Sequence, residues 1–111
     1  LILDEIGGPN HVGNYCSAPI IVDTHSQDIL YQSSYYYLGH FSRFIKRGDR
    51  IIECKNKTDN LLALASINDL GIATTILMNK NNSQENCTYM NGKNILPLSI
   101  PARSIVTLVN A

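Results

Sequence analysis

The sequence predicts a mostly β fold, in which an antiparallel β-sandwich follows a shorter segment that carries one helix. Beyond residue 48, short aliphatic and β-branched runs alternate with turn-forming residues, a pattern typical of a sandwich. A helical periodicity occurs once, before this point. The composition also changes there, because seven of the eight aromatic residues lie between Tyr15 and Phe44, while ten of the twelve Asn residues follow residue 48. We therefore predict two regions, residues 1–48 and residues 49–111.

The first region begins with short extended elements. Leu1 to Leu3 are apolar and predict the end of a buried strand. Gly7-Gly8-Pro9-Asn10 predicts a turn, because Gly tolerates positive φ and Pro fixes its own φ. Pro19–Asp23 and Ile29–Gln32 predict two short strands around a polar connection.

One helix is predicted from Ser34 to about Lys46. Ser33 and Ser34 carry hydroxyl groups that can cap its N-terminus. Lys46 and Arg47 suit the negative end of the helix dipole, and Gly48 is typical of the residue that follows a helix. The apolar residues recur at i, i+4, i+7 and i+8 and therefore share one face: Tyr37, Phe41, Phe44 and Ile45.

The second region is predicted to be a succession of short antiparallel strands. Asn68–Gly71 predicts a tight connection, and Asn91-Gly92 is the strongest hairpin signal in the chain. Pro97 cannot donate a backbone hydrogen bond, so its strand is predicted to lie at a sheet edge or to bulge. The predicted strands are Arg50–Lys55, Leu61–Asn68, Ile72–Asn79, Cys87–Met90, Lys93–Ile100 and Ser104–Asn110.

Charge and hydropathy exclude several classes of protein. Nine basic and nine acidic residues balance to a net charge of zero, and no basic run favours nucleic-acid binding. No apolar stretch approaches the roughly 20 residues that span a bilayer. The chain starts without an initiator methionine or a signal-like segment, directly in the apolar run at Leu1, so we expect it to be a piece of a longer protein.

Single motifs predict no catalytic or metal site. The nine carboxylates are scattered, and the three histidines lack the spacing of metal ligands or of a nucleophile–base pair. We therefore predict no metal and no cofactor. His40 is expected to be a hydrogen-bonded packing residue. The cluster Tyr35-Tyr36-Tyr37 either stacks against carbohydrate or divides between core and surface, and the second is favoured because consecutive helical residues point in different directions.

Cysteines and glycosylation sequons bear on the cellular compartment. The odd number of cysteines fits either three small buried hydrophobes or one disulfide with one free thiol. Three sequons predict candidate N-glycosylation sites at Asn56, Asn81 and Asn86, in polar segments that flank predicted strands.

A longer pattern points to a family. Four segments resemble, in order and spacing, a stretch of the animal glucosylceramidases of glycoside hydrolase family 30: Gly7–Asn10, Asn14–Cys16, Pro19–Asp23 and Tyr36–Ile45. The likeness is nearly residue for residue in the last of them. Beyond Gly48 it continues as a shared strand pattern, which includes Ile100-Pro101 and Ser104–Thr107.

The resemblance implies a (β/α)8 barrel with an attached β-sandwich. Leu1 to Leu3 would be the end of barrel strand 8, Ser34 to Lys46 barrel helix 8, and Arg50 to Asn110 most of the sandwich. Barrel enzymes place their sites on loops at the C-terminal ends of the strands. The loop from Asp4 to Pro19 would therefore form part of the active-site rim. Within it, Asn14 and Tyr15 match an Asn–aromatic pair that lines the glucose pocket of the family.

The sequence departs from the family pattern near this rim. His11 stands where better-known members carry Trp, and Cys16 where they often carry Val. A further site-lining Trp of barrel strand 8 would lie just before Leu1.

The catalytic acids of the family are not among the matching residues. Retaining glycosidases need two carboxylic acids about 5 Å apart, and the family takes both from barrel strands 4 and 7, upstream of residue 1. None of Asp4, Glu5 and Asp23 matches either position. We therefore expect no catalytic residue in this chain and no activity from the isolated 111 residues.

The resemblance also implies a substrate and a compartment. The intact protein would hydrolyse the β-glucosidic bond of glucosylceramide to glucose and ceramide, with retention, in the lysosomal lumen. Its partners would be an anionic membrane surface and a saposin-type activator, and not nucleic acid. The oxidising secretory route would allow Cys54 and Cys87 to form a disulfide.

Two alternatives to this interpretation remain open. One is a member of the same family that acts on xylan or a β-glucan. The other is a stand-alone β-sandwich that binds carbohydrate or protein without catalysis. The animal-like run from Tyr36 to Ile45 favours the lipid hydrolase, and the start of the chain within a strand disfavours the stand-alone module.

Overall fold

The structure is a computed structural model that describes residues 1–8, 10–92 and 94–110, without the side chain of Asn10. The chain divides into two compact units, Leu1–Gly39 and the part from His40 onward. This division lies nine residues before the composition change at residue 48, within the helix. Predictions that involve Pro9, Lys93 or Ala111 lie outside the described residues.

The first unit contains a small three-stranded sheet. Strand β1 (Ile2–Asp4) runs parallel to β2 (Ile20–Val22), and β3 (Ile29–Tyr31) lies antiparallel to β2. The strands predicted at these places are confirmed. The predicted burial of the first strand is wrong, because Leu1 is 82% and Ile2 60% exposed, and only the side chain of Leu3 is half-buried.

Helix α1 (Ser33–Phe44) confirms the predicted helix, but it ends two residues before Lys46. The reason is local: the Lys46 N–H donates to the Asp49 carboxylate at 2.8 Å, so the next turn of the helix does not form. Gly48, with φ of +97°, then reverses the chain direction. No residue of the helix is fully buried, and Phe41 is 40% exposed. No described helix is long and apolar enough to cross a membrane.

The second unit is the predicted β-sandwich. One sheet has four antiparallel strands in the order β4-β5-β6-β9, and the other consists of β7 and β8. The strands are β4 (Arg50–Ile52), β5 (Leu61–Ile67), β6 (Ala73–Asn79), β7 (Glu85–Asn91), β8 (Asn94–Ile100) and β9 (Ser104–Asn110). Pro97 lies in β8, which pairs only with β7 among the described strands, so its predicted position at an edge is confirmed.

The core of the sandwich lies between the two sheets. Leu61, Leu77 and Ile100 are buried there, and each comes from a different strand. The Tyr89 hydroxyl links the sheets, because it lies 3.2 Å from the Thr75 hydroxyl and accepts a hydrogen bond from the Asn110 amide at 2.7 Å. Strand β6 is buried along almost its whole length, as expected for a strand with a neighbour on each side.

Two hairpin turns follow from residue chemistry. The Asn68 side-chain oxygen accepts hydrogen bonds from the N–H groups of Leu70 and Ile72, and Gly71 supplies the positive φ of +80°. This confirms the predicted connection at residues 68–71. Asn91 pairs with Asn94 at the end of the β7–β8 hairpin, and Gly92 has a φ of +59°.

A single buried amide joins the loops at one end of the sandwich. The Asn79 side chain is fully buried, and its Nδ2 donates to the carbonyls of Ser83, Ile100 and Pro101 at 2.8, 3.2 and 2.9 Å. Its Oδ1 accepts the N–H of Asn81 at 3.0 Å. The end of β6, the turn before β7 and the end of β8 are thereby fixed to one side chain.

We expect Asn79→Ala to lower the free energy of unfolding by about 2–4 kcal/mol, because it removes a fully buried side chain and leaves the buried Ile100 carbonyl and two part-buried carbonyls without this donor. The matched control is Asn94→Ala, which removes an exposed amide and should change the free energy by less than about 0.5 kcal/mol. Urea denaturation followed by circular dichroism measures both. Equal midpoints for the two variants would contradict the role given to Asn79.

Candidate functional site

The candidate rim is the loop of residues 5–19, which follows the C-terminal end of β1. Asn14 and Tyr15, the two residues predicted to line a sugar pocket, are exposed in this loop, and Tyr15 is exposed to 73%. His11 and Cys16 are exposed as well. An exposed aromatic ring beside an exposed amide offers a stacking surface and hydrogen-bonding groups to a polar ligand.

Gly7 determines where the Tyr15 ring can lie. Gly7 is buried and has a φ of +79°, and its N–H donates to the Asp4 carbonyl at 3.1 Å in the turn after β1. A Cβ atom added at Gly7 would lie 2.7 Å from the Tyr15 ring and 2.9 Å from the Cys16 carbonyl. The missing side chain of Gly7 is therefore what allows the Tyr15 ring to pack at this place. Sequence reasoning assigned Gly7 only a turn.

The start of the loop is tied to the connection between β2 and β3. The Glu5 carboxylate accepts the Thr24 hydroxyl at 2.6 Å and the Thr24 N–H at 2.9 Å, and His25 Nδ1 lies 3.0 Å from Glu5 Oε1. The Asp23 carboxylate accepts the N–H groups of His25 and Ser26 at 2.9 and 3.1 Å. The Glu5 contacts hold two short loops together without a disulfide, and the Asp23 contacts shape the turn that follows β2.

The hydrogen bonds from Thr24 set the charge state of Glu5. The Thr24 hydroxyl first, then the Thr24 N–H and the backbone of Glu5 itself lower the pKa of the Glu5 carboxyl from 4.5 to about 2, and His25 adds a smaller effect in the same direction. Glu5 is therefore ionised at any physiological pH and cannot act as a general acid. Potential ligand atoms of Glu5, Asp23 and His25 lie within 4.8 Å of one another, but the Glu5 oxygens already accept hydrogen bonds from Thr24.

The remaining predicted residues lie in separate places. His40 Nδ1 lies 2.7 Å from the Thr107 hydroxyl, which confirms the packing role expected of it. Tyr37 is half-buried, whereas the other two tyrosines of the cluster are exposed, so the cluster divides between interior and surface as expected. The predicted glycosylation sites lie after β4 (Asn56), after β6 (Asn81) and within β7 (Asn86).

No disulfide joins the candidate pair Cys54 and Cys87 in the structure. All three cysteines are free, with Cys16 exposed and the other two half-buried. Cys54 follows β4 and Cys87 lies in β7, and both line a cavity of about 430 Å³ between the two sheets of the sandwich. Burial raises the pKa of the Cys87 thiol.

Comparison with protein families gives two adjacent matches. Residues 1–45 match the model described as Glycosyl hydrolase family 30 TIM-barrel domain. Residues 50–108 match the model described as Glycosyl hydrolase family 30 beta sandwich domain.

Similar proteins are found among both curated sequences and solved structures. "Putative glucosylceramidase 3" of Caenorhabditis elegans is 36% identical over 98% of this chain and 22% of its own length. "Lysosomal acid glucosylceramidase" of Mus musculus is 36% identical over 72% of this chain and 16% of its own length. The chain therefore spans about a fifth of these relatives.

Two solved structures share the fold over nearly the whole chain. The crystal structure of SrfJ from Salmonella typhimurium has a TM-score of 0.93 at 29% identity and covers 98% of this chain and 24% of that protein. The endo-beta1,6-glucanase BT3312 has a TM-score of 0.80 at 25% identity and covers 96% of this chain and 24% of that protein.

We expect Gly7→Ala to displace the Tyr15 ring, because the added methyl group would overlap it. Gly13→Ala is the matched control, since Gly13 has a similar φ of +67° but open space around its Cβ position. Both variants bear the strain of a left-handed alanine, about 1–2 kcal/mol. Nuclear Overhauser contacts between residue 7 and the Tyr15 ring should disappear only in Gly7→Ala. Retention of those contacts in that variant would contradict the packing.

The Glu5 carboxyl should titrate near pH 2 in the folded chain. Its folded-state pKa lies below the ordinary value of 4.5, so its stabilising effect is present above about pH 4.5 and is lost as the pH falls towards 2. Thr24→Val removes the largest cause and should raise the midpoint, whereas Thr88→Val, in the other unit, should not. Carboxyl carbon resonances measure the titration. A midpoint of 4.5 in the unmodified chain would contradict the arrangement.

Proposed function

The chain belongs to glycosyl hydrolase family 30, and on this premise we propose that it forms part of a retaining β-glucosidase that hydrolyses glucosylceramide. The observation that carries this proposal is the 36% identity with the nematode relative named as a glucosylceramidase, which extends over 98% of the chain. In this proposal the chain contributes the rim of the glucose pocket and most of an attached sandwich.

The rim loop would bind the sugar without performing the chemistry. The Asn14 amide can donate to and accept from sugar hydroxyl groups, and the exposed Tyr15 ring can stack against the apolar face of a glucose ring. Gly7 and Glu5 act as positioning residues, since one leaves space for the Tyr15 ring and the other anchors the start of the loop.

The catalytic carboxylic acids would come from another part of the enzyme. Retention needs an acid/base and a nucleophile about 5–5.5 Å apart, with the pKa of the acid raised. Glu5 and Asp23 do not meet this need, because Glu5 has a lowered pKa and bonds to Thr24 of another loop, whereas the Asp23 carboxylate accepts N–H groups of its own turn. In this proposal the two acids lie on barrel strands 4 and 7, upstream of this chain, as the family resemblance implies.

The name of the mouse relative supports a lysosomal location in this proposal. The substrate would then be presented at an anionic membrane surface, with a saposin-type protein as activator. Glucosylceramide combines a glucose headgroup with an apolar tail that must remain in the membrane, so the enzyme has to approach that surface.

A second candidate is a hydrolase of a β-linked glucan. The observation that favours it is the likeness to the endo-beta1,6-glucanase, at a TM-score of 0.80 and 25% identity. Because identity with the glucosylceramidase relatives is higher, we give preference to the lipid substrate.

A chimaera tests the proposal. This chain would replace the matching segment of the nematode relative, and turnover of a fluorogenic β-glucoside and of glucosylceramide in anionic vesicles would be measured. We expect turnover of both by the chimaera and none by the isolated chain. In the chimaera, Asn14→Ala should lower kcat/KM by an amount equivalent to about 1–3 kcal/mol, because a sugar hydroxyl loses its partner.

Ser17→Ala, at an exposed position of the same loop, is the matched control and should leave kcat/KM unchanged. Turnover by the isolated chain would disprove the proposal that the catalytic acids come from another part of the enzyme. Faster cleavage of β-1,6-glucan than of glucosylceramide would favour the second candidate. A loss of thermal stability in Asn14→Ala with unchanged kinetics would make Asn14 a structural turn residue.

A further inference from the structure

The three glycosylation sequons differ in how the fold uses the nitrogen that would carry the glycan. N-glycosylation joins the sugar to Nδ2 of Asn and replaces one of its two hydrogens. A folded protein therefore tolerates the glycan best where Nδ2 makes no hydrogen bond and points to solvent. The sequence alone does not distinguish Asn56, Asn81 and Asn86, but the hydrogen bonds of their side chains do.

Asn56 uses both ends of its amide inside the fold. Its Nδ2 donates to the Leu61 carbonyl at 2.5 Å, and its Oδ1 accepts the Thr58 N–H at 3.2 Å. The side chain thus closes the segment that leads into β5. A glycan here would have to share the nitrogen with this short contact to the backbone.

Asn81 uses both amide hydrogens. Its Nδ2 donates to the Asn60 carbonyl at 3.1 Å and to the Glu85 carboxylate at 3.3 Å, and the residue is half-buried. A sugar on this nitrogen would break at least one of the two bonds. These bonds join the turn after β6 to the residue before β5 and to the first residue of β7.

Asn86 presents the opposite arrangement. Its Oδ1 accepts the Ser99 hydroxyl at 2.8 Å and the Gln84 amide at 3.2 Å, whereas its Nδ2 has no hydrogen-bond partner among the described residues. Two bonds to the oxygen fix the amide and leave the nitrogen directed away from them. Asn86 is exposed on β7.

The strand geometry also exposes the rest of this sequon. Side chains alternate along β7, so Asn86 and Thr88 lie on the exposed face while Cys87 is half-buried on the inner face. Ser99 and Pro97, which pair with Asn86 and Thr88 in β8, are exposed as well. The outer face of the β7–β8 sheet therefore has room for a bulky substituent.

We propose that Asn86 is the N-glycosylation site of this chain and that Asn56 and Asn81 stay unmodified in the folded protein. In the reaction, Asn86 Nδ2 forms a bond to C1 of an oligosaccharide carried on a lipid pyrophosphate. The bond between C1 and the pyrophosphate oxygen breaks, the lipid pyrophosphate leaves, and Nδ2 loses one proton. The inference rests on the lysosomal location in the proposed function, which the enzyme would reach by the secretory route.

Site mapping tests the proposal directly. The full chain would be secreted from animal cells behind a cleavable leader, and the glycans would be released enzymatically in heavy-oxygen water, which converts a glycosylated Asn into a labelled Asp. We expect the label at residue 86 alone. Asn86→Gln and Thr88→Ala should both abolish the single-glycan mobility shift, and the second variant leaves the Asn86 hydrogen bonds in place.

Asn56→Gln and Asn81→Gln are the matched controls and should retain the shift. If little protein is secreted, the soluble intracellular fraction can be mapped in the same way. Label at residue 56 or 81 in the folded protein, or no label at residue 86, would overturn the proposal. Because the leader imposes the secretory route, such a result would leave the proposed hydrolase function untouched, and the chimaera decides that function separately.

Discussion

The sandwich depends on a buried amide that organises three chain segments which share no strand pairing at that point. Strand β6 is the only described strand of the four-stranded sheet with seven-residue partners on both sides, and Asn79 is its last residue. By donating to carbonyls at the ends of the neighbouring segments, Asn79 gives these backbone groups a hydrogen-bond partner inside the fold. The hydrophobic core can then close with few large side chains, because Ile100 is held next to Leu77.

The first unit has much shorter strands, and side chains from its loops supply additional hydrogen bonds. Each of its strands has only three residues, so the ladders contribute few hydrogen bonds. Side chains from the loops make up the difference: Glu5 receives two hydrogen bonds from Thr24, and Asp23 caps the turn that follows β2. The rim loop is thus anchored by charge-assisted contacts at its start and shaped by the buried Gly7 in its first turn. Gly7 leaves the space that the Tyr15 ring occupies next to this turn.

Sequence patterns predicted the elements well because their causes are local. The period of the helix, the turn residues at 68–71 and the Asn91-Gly92 hairpin signal all depend on neighbours in the chain. The family resemblance identified Asn14 and Tyr15, although composition and spacing alone did not. Local patterns could not predict contacts between residues far apart in the chain. Glu5 bonds to Thr24 across 19 residues, and His40 bonds to Thr107 across 67. The helix ends two residues before the predicted Lys46, because the Asp49 carboxylate accepts the hydrogen bond of the Lys46 N–H.

Pro97 has a consequence for the behaviour of the chain in a crowded solution. Strand β8 carries three apolar residues around Pro97, and two of them, Ile95 and Leu96, are exposed. Without the proline, such an open strand would offer an uninterrupted row of donors and acceptors to another molecule, which is how intermolecular sheets begin. The ring removes one donor from the middle of the row, so a second chain cannot add in register along the whole strand. Pro97 therefore helps to keep copies of the chain apart.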